Sequence, residues 1–222
     1  MKENDFTDTL SSRFRLKPYF RHVKELFEFV RDKKRNEYLL FWGHTPKDPG
    51  VVNHTCLSQW YPSPFQYGSS PEVYLTAEHF MMAEKARLFH DGKACDAILQ
   101  AESPKEVKQI GRTVKNFDES QWRKSRMSVV IKGSFAKFSY PKNNALKDFL
   151  IGTHGKILVE ASPVDKTWGI GLAQGHPDVR FPSKWQGKNL LGFALMFVRE
   201  VLCEGKSFSL EELNALSVFL AE

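Results

Sequence analysis

Two short apolar runs in this 222-residue sequence read as strands, Tyr38-Leu39-Leu40-Phe41-Trp42 and Ile157-Leu158-Val159, and most of what separates them carries helix signals. This arrangement is the tightest constraint on the fold. A sheet drawn from so few strands must be small, so helices have to supply the bulk of the core. Gly43 ends the first run, and the stretch from Gly43 to Tyr74 is rich in Pro, Gly and Ser, which predicts an ordered loop region of the length usually kept for function. Thr76 can cap a helix reaching about His90 and stopped by Gly92. Ser103-Pro104-Lys105-Glu106 supplies an N-cap, a proline at the first helical position and a capping-box glutamate for a second helix. Asp118 with Gln121 repeats the signal for a third, continuing through Trp122, Met127 and Val130 towards Phe138. Pro141-Lys142-Asn143-Asn144 restarts a helix to Leu150, and Gly152 and Gly155 break it before the second strand. Leu190, Leu191, Ala194, Leu195, Val198, Val201 and Leu202 mark a buried helix over Asn189 to Cys203. Phe20, Val23, Phe27 and Val30 give an amphipathic accessory helix within Tyr19 to Arg31, and Ser209 with Glu212 opens a short terminal one. The expected architecture is α+β: one helix-rich domain over 37–204 with a small sheet, an N-terminal extension 1–36, and a C-terminal helix in 205–222 packed on the domain.

Composition narrows the function classes. Hydrophobic residues at 41% and charged ones at 26% sit in the globular range, and no apolar run approaches a membrane span. Residues 1–20 mix acids and bases without an apolar core, so a secretory signal is not expected and a cytoplasmic or nuclear location is. Cys56, Cys95 and Cys203 are too few and too scattered for a disulfide framework or a CxxC metal pair. The excess of 32 basic over 26 acidic residues favours a polyanionic partner such as a nucleotide or nucleic acid. Basic runs such as Lys33-Lys34-Arg35 and Arg123-Lys124 read first as solvated faces. Aromatics form 13% of the chain, more than a core of this size requires, and some are expected to line a site for a flat ring.

Chemistry concentrates in two places. At 100° per residue, Glu78, Met82, Lys85 and Phe89 share one stripe of the helix after Thr76, flanked by Met81, with Glu84, Arg87 and Asp91 opposite. A carboxylate and an amine thus lie within an apolar face. Either they are a solvated edge where a long lysine snorkels, or they wall a pocket in which desolvation raises the glutamate pKa and lowers the lysine pKa. The helix dipole at Glu78 pulls the other way. The second place is the turn after the second strand, where Asp165 and Trp168 stand three residues apart and Gly169 and Gly171 permit close backbone approach. A carboxylate beside an indole suits a sugar and a base; the plainer alternative is a tight turn with a core tryptophan. The histidines, among them His44, His79 and His154, show no HxH, HxxxH or HExxH spacing, so no metal site is expected. No serine lies in a GxSxG elbow.

Taken in order, Phe41-Trp42-Gly43, Leu57-Ser58-Gln59-Trp60-Tyr61, Thr76-Ala77-Glu78-His79-Phe80, Ala83-Glu84-Lys85-Ala86, Gly111-Arg112, Trp122, Glu160-Ala161-Ser162-Pro163, Asp165, Trp168-Gly169-Ile170-Gly171 and Gly187-Lys188-Asn189-Leu190-Leu191-Gly192 resemble the NADAR (NAD and ADP-ribose), or YbiA-like, family. The resemblance spans about Tyr38 to Cys203 and rests on the whole order of motifs. It implies an α+β N-glycosidase fold, without metal or cofactor, that cleaves bonds between ribose and a nitrogen base. Carried over by motif, Glu78, Lys85, Asp165 and Trp168 form the expected catalytic group. Arg112 and Asn189 are expected to contact phosphate or ribose, while Phe41, Gly43, Trp60 and Trp122, with Gly169 and Gly171, shape the pocket. The chain departs from shorter bacterial members in its basic N-terminal extension and in an insertion from Ala173 to Ser183. The expected substrate is ADP-ribosylated guanine in a nucleotide or nucleic acid. Its rivals are phosphorylated ribosylamino-pyrimidine intermediates of riboflavin synthesis and, from another class, a non-catalytic ADP-ribose or NAD reader.

Overall fold

The computed structural model describes residues 37–205 apart from Lys47 and Pro49. The amphipathic helix expected at Tyr19 to Arg31 and the terminal helix opened by Ser209 lie outside the described residues, as do the rest of the two flanking segments. Strands β1 (Tyr38–Phe41) and β2 (Ile157–Glu160) pair in parallel, Tyr38 opposite Ile157 and Phe41 opposite Glu160. Parallel neighbours need a crossover, and here the crossover is the helical body itself: α1 (Ala77–Leu88), α2 (Gly92–Gln100), α3 (Pro104–Arg112), α4 (Glu119–Ser139) and α5 (Asn144–Gly152). Helix α6 (Leu190–Cys203) comes after β2 and packs on it and on α4 and α5. The small sheet and dominant helices are the α+β architecture the sequence predicts.

Local chemistry explains where the helices start. The side chains of Thr76, Asp91, Ser103 and Asp118 each accept a backbone N–H from the first turn of the helix they precede, filling donors a helix cannot satisfy internally. In α6, Leu191 to Arg199, Val201 and Leu202 are all buried, so this helix is apolar nearly all round and runs through the core. Helices α1 and α4 cross closely because Gly133 lies under the ring of Phe80; a Cβ there would sit 2.6 Å from Cδ1 of that ring. Among the described residues no helix is long and apolar enough to cross a membrane.

Two local expectations are corrected. Gly92 begins α2 instead of merely ending the preceding helix: the chain turns through His90 at φ 58°, and Asp91 then caps a new helix by accepting the Ala94 N–H at 3.2 Å. The first strand stops at Phe41, and Trp42 stands 51% exposed. Among the described residues, the loop from Gly43 to Tyr74 contains one 3-10 turn, His54–Leu57, and a single antiparallel bridge between Phe65 and Tyr74. Within the segment from Ala173 to Ser183 no regular element forms before the 3-10 turn at Pro182–Lys184, and the indole N–H of Trp185 ties it down by donating to the Val179 carbonyl at 2.9 Å.

Candidate active site

Helix α1 is pinned at its N-terminus by neighbours from distant parts of the chain. The Thr76 hydroxyl accepts the His79 N–H and donates to Nδ1 of the same ring, while Nε2 of His79 donates to the Ala101 carbonyl at 3.0 Å. A ring with one nitrogen accepting and the other donating is neutral, and burial holds its pKa below the ordinary value. His79 is therefore a fastener. The backbone N–H of Glu78 donates to the Gln59 carbonyl at 2.9 Å, which sets the loop from Ser58 to Trp60 against the start of α1. That loop is held from behind by Lys137 of α4, a lysine only 1% exposed whose Nζ donates to the carbonyls of Cys56 at 2.6 Å and Ser58 at 2.9 Å.

The opposite wall is the turn after β2. The Ser162 hydroxyl accepts the Asp165 N–H at 3.1 Å, and Oδ1 of Asp165 accepts the N–H groups of Thr167 and Trp168, both at 2.7 Å. One carboxylate oxygen of Asp165 thus shapes the turn, and the other is not consumed by it. Between the two walls lies a cavity of about 240 Å³ whose lining includes Trp60, Glu78, Lys85, Arg112, Asp165 and Trp168.

Of the residues the sequence nominates, those six meet at the cavity. The other six do not line it. Phe41 is buried at the end of β1, and its carbonyl accepts the Ala161 N–H at 2.9 Å. Gly43 is an exposed turn at φ 81° with open space around it. Trp122 is buried beneath the site, its ring centroid 6.0 Å from Nζ of Lys85. Gly169 and Gly171 allow close approach, but to the chain itself: a Cβ at Gly169 would press on the Glu160 and Asp165 carbonyls, and one at Gly171 on the side chain of Gln186. Asn189 is corrected outright as a ligand contact. It is 0% exposed, its Oδ1 accepts the Glu160 N–H at 3.0 Å and its Nδ2 donates to the Leu158 carbonyl at 3.0 Å, so its amide staples β2 to the start of α6.

The cavity also contains residues that sequence reasoning passed over: Gln59, Lys108 and Glu160. Glu160 sits at the end of β2, where alternation and a motif position gave no hint that its carboxyl turns inward. Its Oε2 and the Oε1 of Gln59 are buried without a hydrogen-bond partner among the described residues.

Electrostatics distinguish the groups. Burial pushes the Glu78 carboxyl up to about 8, against the pull of the nearby charge of Lys108 and with a further push from Asp165. Desolvation therefore overrides the helix dipole. Glu160 is likewise pushed up to about 8 by burial and by the charges of Asp165 and Glu78. The Lys85 amine is held below its ordinary value by burial, with Glu119 and Glu78 acting in the opposite sense. Its Nζ donates to the Gly111 carbonyl at 2.7 Å and lies 4.1 Å from the centroid of the Phe117 ring. At neutral pH the site offers two protonated carboxylic acids able to give a proton and an amine that loses its own more readily than a free lysine. Among the described residues no group of three or more His, Cys, Asp or Glu side chains is gathered as metal ligands are.

Comparison with known proteins gives a consistent picture. The model of the NADAR domain matches residues 40–203. The protein named N-glycosidase R617 of Acanthamoeba polyphaga mimivirus is 40% identical over 169 residues, 74% of this chain and 96% of its own length. The riboflavin biosynthesis protein PYRR, chloroplastic, of Zea mays is 35% identical over 132 residues, 56% of this chain but only 19% of that longer protein. The NMR structure of the E. coli protein YbiA superposes with a TM-score of 0.60 at 24% identity, covering 83% of this chain and 96% of that one, which establishes a shared fold.

Proposed function

The chain belongs to the NADAR family, and from that premise we propose that it is an N-glycosidase that hydrolyses the bond between ribose and the base of ADP-ribosylated guanine. The observation that carries this reading is the meeting of Glu78, pushed up to about 8, with a pKa-depressed Lys85, Asp165 and Trp168 on one cavity. Breaking a ribose–nitrogen bond leaves positive charge at the anomeric carbon and negative charge on the base. A protonated Glu78 neutralises the base as it leaves. Asp165 steadies the sugar, and Trp168 stacks.

Lys85 gives the reaction a covalent route. Once it has given up its proton, the amine attacks the anomeric carbon while the carbon–nitrogen bond breaks and the departing base takes the Glu78 proton. The new ammonium returns a proton to Glu78, the sugar ring opens with protonation of its oxygen, and an imine joins Lys85 to the open sugar. Water adds to the imine carbon and releases the amine with the sugar as an aldehyde. The Gly111 carbonyl, which accepts one N–H of Lys85 in the free protein, keeps the remaining positions of the amine available. Arg112 and Lys108, both at the cavity, supply positive charge for a diphosphate.

The cavity size favours a second substrate within the same reaction class. At about 240 Å³ it is smaller than the roughly 300–1,000 Å³ of sites that enclose drug-sized ligands. On the first reading a sugar and part of a base enter it and the adenosine diphosphate arm lies across the rim, whereas a phosphorylated ribosylamino-pyrimidine asks for less room. Incubation with ADP-ribosylated guanosine, such a pyrimidine and NAD, with products identified by mass, separates the readings. Release of guanosine from the first is the expected result. Turnover of the pyrimidine alone moves the substrate to the second reading, and base release from none of the three leaves a binding module.

A further inference from the structure

Gln59 is 6% exposed, and its amide is only half used. Its Nε2 donates to the hydroxyl of Ser134, a fully buried residue of α4, at 3.3 Å, while Oε1 is buried with no partner among the described residues. Buried amide oxygens are normally paired, because nothing inside the protein replaces the water they lose. This one belongs to a residue that lines the candidate cavity, next to Glu78, whose backbone N–H is bonded to the carbonyl of the same Gln59. A second orphan, Oε2 of Glu160, lines the same cavity. Gln59 and Glu160 thus each bring to the lining of this cavity a residue with one buried side-chain oxygen that no neighbour among the described residues satisfies.

We propose that Gln59 is a specificity residue whose Oε1 accepts a hydrogen bond from an N–H or O–H group on the part of the substrate that enters the cavity. Which substrate carries that donor rests on the glycosidase reading; the acceptor does not. The bond to Ser134 fixes the rotation of the amide, so the oxygen presents one lone-pair direction, and a ligand lacking a donor there leaves it unpaired. Sites built this way discriminate far more strongly against a missing polar group than apolar pockets do against a missing methylene. The donor is either a ribose hydroxyl or a base N–H.

The test titrates two ligand pairs by calorimetry: ribose 5-phosphate against 2-deoxyribose 5-phosphate, and guanosine against inosine. Wild type should prefer the donor-bearing member of one pair by about tenfold or more, and Gln59→Met, which keeps the volume and removes the acceptor, should bind both members of that pair alike. The pair that discriminates identifies the donor. The proposal is overturned if wild type binds none of the four or distinguishes neither pair, or if Gln59→Met retains the preference or weakens all four equally. Should Gln59→Met fail to fold, the side-chain amide resonance of Gln59 in wild type decides. It should move with the donor-bearing ligand and stay still with its counterpart, and a resonance unmoved by both overturns the assignment. Base release from ADP-ribosylated guanosine is followed in parallel. Turnover without Gln59-dependent discrimination removes only the role of Gln59, and discrimination without turnover keeps that role while removing the glycosidase reading.

Discussion

Lys85 admits the sharpest single test, because arginine in its place keeps the charge but cannot form an imine. Lys85→Arg should lose activity steeply while melting close to wild type, and borohydride added during turnover of the unmutated protein should trap a sugar adduct on Lys85, readable by mass. Full activity in the variant with no adduct would leave direct attack by water. Glu78 can be tested through both rate and pH. Glu78→Gln should lower turnover by roughly 10²–10⁴-fold with ligand affinity retained. In wild type the acid limb of the mechanism is lost as pH rises through about 8, where Glu78 ionises. Because burial penalises the ionised carboxyl, the stability that goes with its protonated form is fully present below the ordinary glutamate value and lost as pH climbs to about 8. Glu78→Gln should therefore melt higher than wild type at pH 9 and show no such gain at pH 5. The pairing of Glu78 with Lys85 was legible because helical spacing is a local property of sequence. Gln59 and Glu160 were not, since their inward aim depends on Ser134, Asn189 and the turn after β2, contacts made between segments far apart in the chain.

At the scale of elements, Asn189 and Gly111 do work that their motif positions misrepresent or leave unstated. Asn189→Ala would strip both bonds joining β2 to α6 and place a Cβ-bearing residue without a compensating side chain at φ 54°. We expect a loss of about 2–4 kcal/mol, two buried polar groups left unpaired, seen as a lower midpoint in chemical denaturation. A midpoint equal to wild type would mean that water replaces both bonds. Gly111 faces Met82 so closely that a Cβ would collide with its Sδ. Because that sulfur is the end of a flexible chain, Gly111→Ala should fold, with Met82 displaced and the Gly111 carbonyl shifted from Lys85. The expected readout is a raised KM with modest change in melting. Helix starts were readable from Thr76, Ser103 and Asp118, whose caps are local. Helix α2 was missed because Gly92 looks like a stop until the Asp91 carboxylate is seen to accept the Ala94 N–H and open a new helix. The role of Asn189 was misread because a family motif marks a position without saying whether it serves ligand or scaffold.

For the molecule as a whole, the formal charge of +6 and the placement of Arg112 at the cavity predict salt-sensitive binding. Arg112 is exposed, so screening discounts its contact. Arg112→Ala should weaken ADP-ribose binding by about 1 kcal/mol at physiological salt and by more at low salt; a dissociation constant unchanged at both salt levels removes Arg112 from the site. The α+β class was legible from two strand signals among many helix signals, whereas the convergence of distant walls on one cavity was not, because it is a property of the closed chain. The parallel pairing of β1 with β2 has a consequence for how that chain closes. Tyr38 meets Ile157 across roughly 120 residues, a loop whose closure entropy must be met before the pairing returns anything. The loop of Ser58 to Trp60 hangs from the early side of this closure and the turn of Asp165 from the late side. During synthesis the first strand emerges long before its partner, so the walls of the cavity cannot face each other until β2 and the turn after it are made. Folding should then be slow for a helix-rich domain, and the pair of Glu78 and Lys85, brought together by α1 alone, meets Asp165 and Glu160 only once β2 has docked.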